Sequence, residues 1–337
     1  MYSDIPFWLS LVYMLGGFFL LAWSSDRFID SAAAVARALG ISPFIVGILV
    51  IGFGTSAPEL FVSAMSGFSG HAGISLGNAY GSCVFNIAVI LGVAAMIFPL
   101  AANPRKTVPA GLMLFAISAL SWFLLRDGTC SRADAIVLLA IFVVIMPLYC
   151  WFDRKTSSVL ADDFVEPTAG KRRRRHRRGL GSSIFWLFAG LALLVISSHL
   201  LVHGAVDFAR RVGVSDLLIG LTVVSVGTSL PELASAIQSA RKGEHEFVLG
   251  NIIGSNLFNT LAVVGIATGI APTSDFSAAI TTRDLPFVMA LSLSIPILGL
   301  NFAKPSATGA YTRGKALFWI LAYAAYAVVM IKGEFAA

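Results

Sequence analysis

The sequence predicts an all-α integral membrane protein: ten transmembrane helices arranged as two inverted five-helix repeats. Three observations predict it. First, 57% of the 337 residues are hydrophobic and only 12% are charged, about half the charge of an ordinary soluble domain. Second, apolar windows long enough to cross a bilayer fall near 7–25, 43–68, 75–99, 108–125 and 132–151, and again near 183–202, 216–240, 247–271, 285–302 and 315–331. Third, the stretch Gly40 to Gly92 recurs 173 residues later as Gly213 to Gly265, without a gap and with 20 of 53 positions identical. An odd number of spans in each copy obliges the second to enter the membrane upside down. Inverted repeats of this sort place a binding site near the midplane, where the halves meet.

The first apolar stretch has no Lys or Arg before Arg27 and continues amphipathically to Leu39. It outruns a signal-peptide core and reads as a retained helix. Its counterpart near 183–202 continues to Val212. The repeat already begins in these two helices, because Leu21, Ser24, Ser25, Ala32, Ala36 and Arg37 return as Leu194, Ser197, Ser198, Ala205, Ala209 and Arg210. The second and seventh spans carry GTSAPE and GTSLPE. The third and eighth carry GNAYGSCVFN and GNIIGSNLFN. The halves are thus residues 1–153 and 183–337, each holding one copy of the 40–92 or 213–265 unit.

Between them, residues 154–182 hold Asp162, Asp163 and Glu166, then the run Lys171 to Arg178. Such a run in isolation reads as a nucleic-acid patch. Between two spans it reads as a cytoplasmic loop that sets topology and meets anionic lipid headgroups, with no nucleic acid implied. With that loop inside the cell, inside segments hold 17 Lys and Arg and outside segments 6, leaving Arg27 within its helix. The N-terminus is then outside, and the expected location is the cell (inner) membrane. Cys83, Cys130 and Cys150 are too few and scattered for a disulfide framework and read as buried or lipid-packed thiols.

Of 18 acidic residues, Glu59 and Glu232 fall deep within apolar spans. A carboxylate at that depth costs several kcal/mol and should face a cavity, a partner or an ion. Pro58 and Pro231 cannot donate a backbone hydrogen bond, which frees the carbonyls of Gly54 and Gly227 and makes each helix easy to break. Thr55 and Ser56 share a helix face with Glu59, and Thr228 and Ser229 with Glu232. In the following spans Ser82 and Asn86 are four apart, as are Ser255 and Asn259. Gly77, Gly81, Gly250 and Gly254 would let those spans pack closely on the broken helices. Two carboxylates, eight neutral oxygen-bearing side chains and freed carbonyls, with no thiolate or imidazole among them, suit hard cations: Ca²⁺, or the same oxygens shared among several Na⁺. The residues alone therefore indicate a cation transporter with competing hard ions.

These motifs closely resemble the paired α-repeats of the sodium/calcium exchanger family within the calcium/cation antiporters, in a prokaryotic form. The resemblance covers nearly the whole chain. It implies a secondary active antiporter, not an enzyme, that exchanges Na⁺ for Ca²⁺ by alternating access, with no cofactor beyond the transported ions. Glu59 and Glu232 would bind Ca²⁺ with the carbonyls of Thr55 and Thr228. Ser56, Ser82 and the Gly52 carbonyl would form one outlying Na⁺ site; Ser229, Ser255 and the Ser225 carbonyl would form its mate. Asn86 and Asn259 would line the centre, and the first and sixth helices would be a sliding gating pair. Some relatives, including K⁺-dependent exchangers, have Asp where Asn259 stands; the neutral amide resembles the K⁺-independent type. A monomer would suffice.

A proton-coupled Ca²⁺ antiporter could use the same glutamates, although relatives of that kind have differently composed repeats. A channel would need a continuous pore. His199 and His203 are four apart but lack the His-Glu-x-x-His pattern of an intramembrane metalloprotease and read as packing or interfacial residues. His71 and His245 fall in connecting segments.

Overall fold

The computed structural model describes residues 6–68, 72–160, 179–211, 225–274, 276–300 and 309–336. The basic run and the opening of the second repeat, through residue 224, lie outside them. Helix α1 (Phe7–Leu39) ends where Gly40, at φ 63°, turns left-handed and returns its N–H to the Ala36 carbonyl, a glycine cap that only a residue without Cβ adopts freely. The next helix starts at once: Ser42 accepts from the Ile45 N–H at 3.2 Å and Pro43 occupies the first turn, where its missing donor costs nothing.

That helix is broken. α2 (Pro43–Thr55) and α3 (Ala57–Phe68) meet at a 45° bend. Then follow α4 (Ser75–Ile97), α5 (Pro104–Leu125), α6 (Arg132–Leu160) and α7 (Leu180–Arg211). α8 (Ser225–Thr228) and α9 (Leu230–Arg241) repeat the break, and α10 (His245–Ile270), α11 (Leu285–Gly299) and α12 (Arg313–Ala336) complete the chain. Seven of these helices are long and apolar enough to cross a membrane, and the α2–α3 pair makes an eighth if it counts as one span. The expected span near 216–240 is described only from Ser225, and the one near 285–302 appears as α11, continuous with a π-helical turn at Ile280–Asp284.

α10 lies at the centre, its best apolar window wholly buried, whereas that of α12 is 11% buried and turns Phe318, Leu321 and Val328 outward. α1 and α7 run together along one side. Gly17 meets Leu201, Gly190 meets Phe28 and Gly204 meets Ser10 and Met14, close approaches made through small residues. Cys83 and Cys130 are buried.

Two short pairings report which connections share a face. β1 (Leu100–Ala102) and β2 (Gly309–Tyr311) form an antiparallel ladder with Leu100 opposite Tyr311. Cys130 and Thr273 exchange backbone hydrogen bonds of 2.7 and 3.0 Å. The first joins two connections assigned to the same side by charge counting, and the second joins two assigned to the opposite side.

Candidate cation site

The breaks themselves build the site. Ser56 (φ −82°, ψ 5°) and Ser229 (φ −92°, ψ 8°) interrupt their helices in the same backbone conformation. Pro58 and Pro231 then sit in the first turn of α3 and α9, and each is followed directly by its glutamate. Glu59 and Glu232 are fully buried, at 0% and 1% exposure. Each is met by a hydroxyl from the opposite half. Ser56 donates to Glu232 Oε1 at 3.0 Å, and Ser229 donates to Glu59 Oε1 at 3.2 Å. The contacts are reciprocal between the two copies.

The Gly52 carbonyl receives a hydrogen bond from the Ser255 hydroxyl of the other half at 3.3 Å. Gly52, Ser56, Ser255 and Glu232 therefore assemble from both halves. The cause is the packing of α2 on α10. A Cβ at Gly47 would lie 2.8 Å from the Gly250 Cα, one at Gly52 2.8 Å from the Ser255 nitrogen, and one at Gly254 2.7 Å from the Ile48 Cα. The glycines of α10 thus bring the backbones together as expected. The segment that would meet Gly77 and Gly81 in the other half lies outside the described residues, as does the Ser225 side chain.

Asn86 donates to Asn256 Oδ1 at 3.1 Å, joining α4 to α10. Both Asn86 and Asn259 lie at π-helical turns, Asn86–Leu91 and Phe258–Val263, a widening of the helix often found at functional positions. Among the described residues, Glu59 Oε2, Glu232 Oε2, Asn86 Oδ1 and both amide atoms of Asn259 are buried without a hydrogen-bond partner. Ser82 is buried nearby in sequence on α4. Among the described residues no group of three or more His, Cys, Asp and Glu is placed to hold a metal ion together.

Three residues escaped sequence reasoning. Asn251 accepts from Thr55 at 3.3 Å while donating to the Glu232 carbonyl at 3.3 Å. Asn78 donates to the Glu59 carbonyl at 3.5 Å and to Ser63 at 3.1 Å. Both belong to the identities kept between the copies, which was the signal. Asn256 occupies the position of Cys83, so comparing the copies hid it. The paired serines of α1 and α7 also part company. Ser24, Ser25 and Ser197 donate to carbonyls of their own helix, but Ser198 donates to the Gly227 carbonyl at 2.8 Å, the one freed by Pro231. His203 packs edge-on against Tyr13, with ring centres 5.6 Å apart, and His199 is exposed.

A family model described as sodium/calcium exchanger protein matches residues 9–151 and 182–332. The chain belongs to this family. CaxA of Alkalimonas amylolytica is 39% identical over 293 residues, covering 87% of this chain and 90% of that one. The sodium/calcium exchanger MaX1 of Methanosarcina acetivorans is 30% identical, covering 85% and 90%. A solved structure of the sodium-calcium exchanger NCX_Mj soaked with Na⁺ and Sr²⁺ superimposes with a TM-score of 0.77 at 26% identity, over 97% of this chain and 99% of that one. This chain is accordingly a cation antiporter of the membrane, built on the exchanger fold.

Proposed function

We propose that this exchanger couples Na⁺ entry into its central site to Ca²⁺ displacement, by alternating access, in an inner membrane with the N-terminus outside and residues 154–182 inside. Ten spans in two inverted five-helix halves, 1–153 and 183–337, carry it; it acts as a transporter and not as an enzyme, and a monomer in the bilayer suffices. The observation that supports the reading is the set of buried, unpartnered oxygens: Glu59 Oε2, Glu232 Oε2, Asn86 Oδ1 and Asn259 Oδ1. Burying such acceptors unpaired in an apolar interior costs several kcal/mol each for the charged ones. A cation bound among them removes that cost. Glu59 and Glu232 neutralise one Ca²⁺, with the Thr55 and Thr228 carbonyls adding neutral oxygens. Na⁺ competes by taking the same carboxylates together with two flanking groups: Ser56, Ser82 and the Gly52 carbonyl on one side, Ser229, Ser255 and the Ser225 carbonyl on the other. Because every acidic ligand is shared, the two ions exclude one another, and exchange follows.

Sealed vesicles test this. Ca²⁺ uptake should follow an outward Na⁺ gradient and disappear in Glu59→Gln and in Glu232→Gln. Uptake driven equally well by a pH gradient without Na⁺ would replace the reading with proton coupling. Rapid flux without any counter-ion gradient would replace it with a channel.

A further inference from the structure

Lys242 closes the turn after α9, the helix that opens with Glu232. Its Nζ lies 2.8 Å from Asp26 Oδ1 and 2.9 Å from Asp30 Oδ1. It also donates to the Asp26 carbonyl oxygen at 2.6 Å. Two carboxylates and one carbonyl thus surround the ammonium group. One turn earlier Gln238 Nε2 donates to the Ala22 carbonyl at 3.3 Å. Residues 22, 26 and 30 recur every four positions and so form one stripe along α1. The end of α9 is therefore fastened to a single face of α1, which packs on α7 over much of its length. The Lys242 side chain is only 10% exposed. An ammonium so far withdrawn from water holds its partners strongly, because parting from them without new ones leaves a buried charge.

The sequence offers no equivalent ion pair at the repeat offset. At the repeat offset Lys242 and Gln238 correspond to Ser69 and Met65, and Asp26 and Asp30 correspond to His199 and His203. Where α7 meets the broken helix of its own half, it does so through the neutral bond from Ser198 to the Gly227 carbonyl. The ion pairing of α1 with α9 is thus asymmetric between the copies, on the face of the turn between α9 and α10, where Lys106 and Glu246 also pair at 2.9 Å.

We propose that Lys242, Asp26 and Asp30 form a one-sided ionic lock that holds α1 against α9 and shuts the cation site toward that face. Releasing it is then a step of every transport cycle, and the lock sets how the molecule divides its time between its two openings. This rests on the exchanger reading in supposing that α1 moves against the core. A bias toward one opening lowers apparent affinity on the disfavoured face by the fraction of molecules open there.

Lys242→Met, and separately Asp26→Asn with Asp30→Asn, should be measured in two ways. In hydrogen exchange on the full-length protein in nanodiscs, residues 22–30 and 236–242 should exchange about threefold or more faster than in the wild type, as local opening predicts. In oriented proteoliposomes the half-saturating Ca²⁺ concentration should fall about threefold on the face of the α9–α10 turn and rise on the other. The charge swap Lys242→Asp with Asp30→Lys should return both measurements toward wild type. Unchanged hydrogen exchange in both variants, or half-saturation moved equally on both faces, would overturn the lock. Faster exchange in the variants of a wild-type protein showing no Na⁺-driven Ca²⁺ flux would support the lock and sink the exchanger reading instead.

Discussion

Ser56 and Ser229 are small residues with a large assigned task, since each is both the hinge of a broken helix and a donor to the other half's glutamate. Replacing Ser56 with alanine keeps the backbone turn but removes a hydrogen bond to a buried carboxylate, a loss of about 1.5–3 kcal/mol. The Na⁺ concentration for half-maximal exchange should rise about tenfold or more, with a smaller change for Ca²⁺; equal changes for both ions would assign Ser56 to the hinge alone. Ser198→Ala, which strips the donor from the Gly227 carbonyl, should lower thermal stability in detergent by about 1–3 kcal/mol, while Ser25→Ala should cost less. Much at this level could be read from the sequence. Glu59, Glu232, Thr55, Ser56 and their copies announce themselves by depth and by four-residue spacing. Their pairing could not be read, because spacing orders residues along a helix and says nothing of which half faces which. The hydrogen bond from Ser255 to the Gly52 carbonyl, across the halves, is one such pairing.

Helices α2 and α10 touch along a seam of Gly47, Gly52, Gly250 and Gly254. A methyl group at Gly254 would press on the backbone of Ile48, which cannot move aside as a side chain can. Gly254→Ala should therefore destabilise the protein by about 1–3 kcal/mol and weaken Ca²⁺ uptake as well, because the seam holds Ser255 against Gly52. Gly16→Ala, at a position with open space, is the control and should do neither. Among the described residues the apolar windows coincide with helices, although the helix expected at 132–151 runs on to Leu160. They did not disclose the π-helical turns at Asn86–Leu91 and Phe258–Val263, which leave the apolar period unbroken over so short a stretch. The fastening of Lys242 to Asp26 and Asp30 was equally hidden, since all three read as ordinary charges near span ends.

For the molecule as a whole, duplication carried most of the information. Two copies in a chain with an odd number of spans per half imply inversion, and inversion implies a site completed by both. Neither half, expressed alone, should bind Ca²⁺ measurably in calorimetry, and co-expression of 1–153 with 154–337 should restore binding. Binding by one half alone would contradict the shared site. The pairing of β1 with β2 and of Cys130 with Thr273 brings together connections that charge counting had placed on common faces.

The crossed contacts of Ser56 with Glu232 and Ser229 with Glu59 also decide what a chimera would be. Grafting one complete repeat from a relative of different ion preference would not transplant one ion site and spare the other. It would leave every site half native and half foreign, so selectivity should travel with pairs chosen by contact and not by position in the repeat. Libraries aimed at new ion preferences should vary Ser56, Ser255 and Glu232 together, across the halves, as one heritable unit.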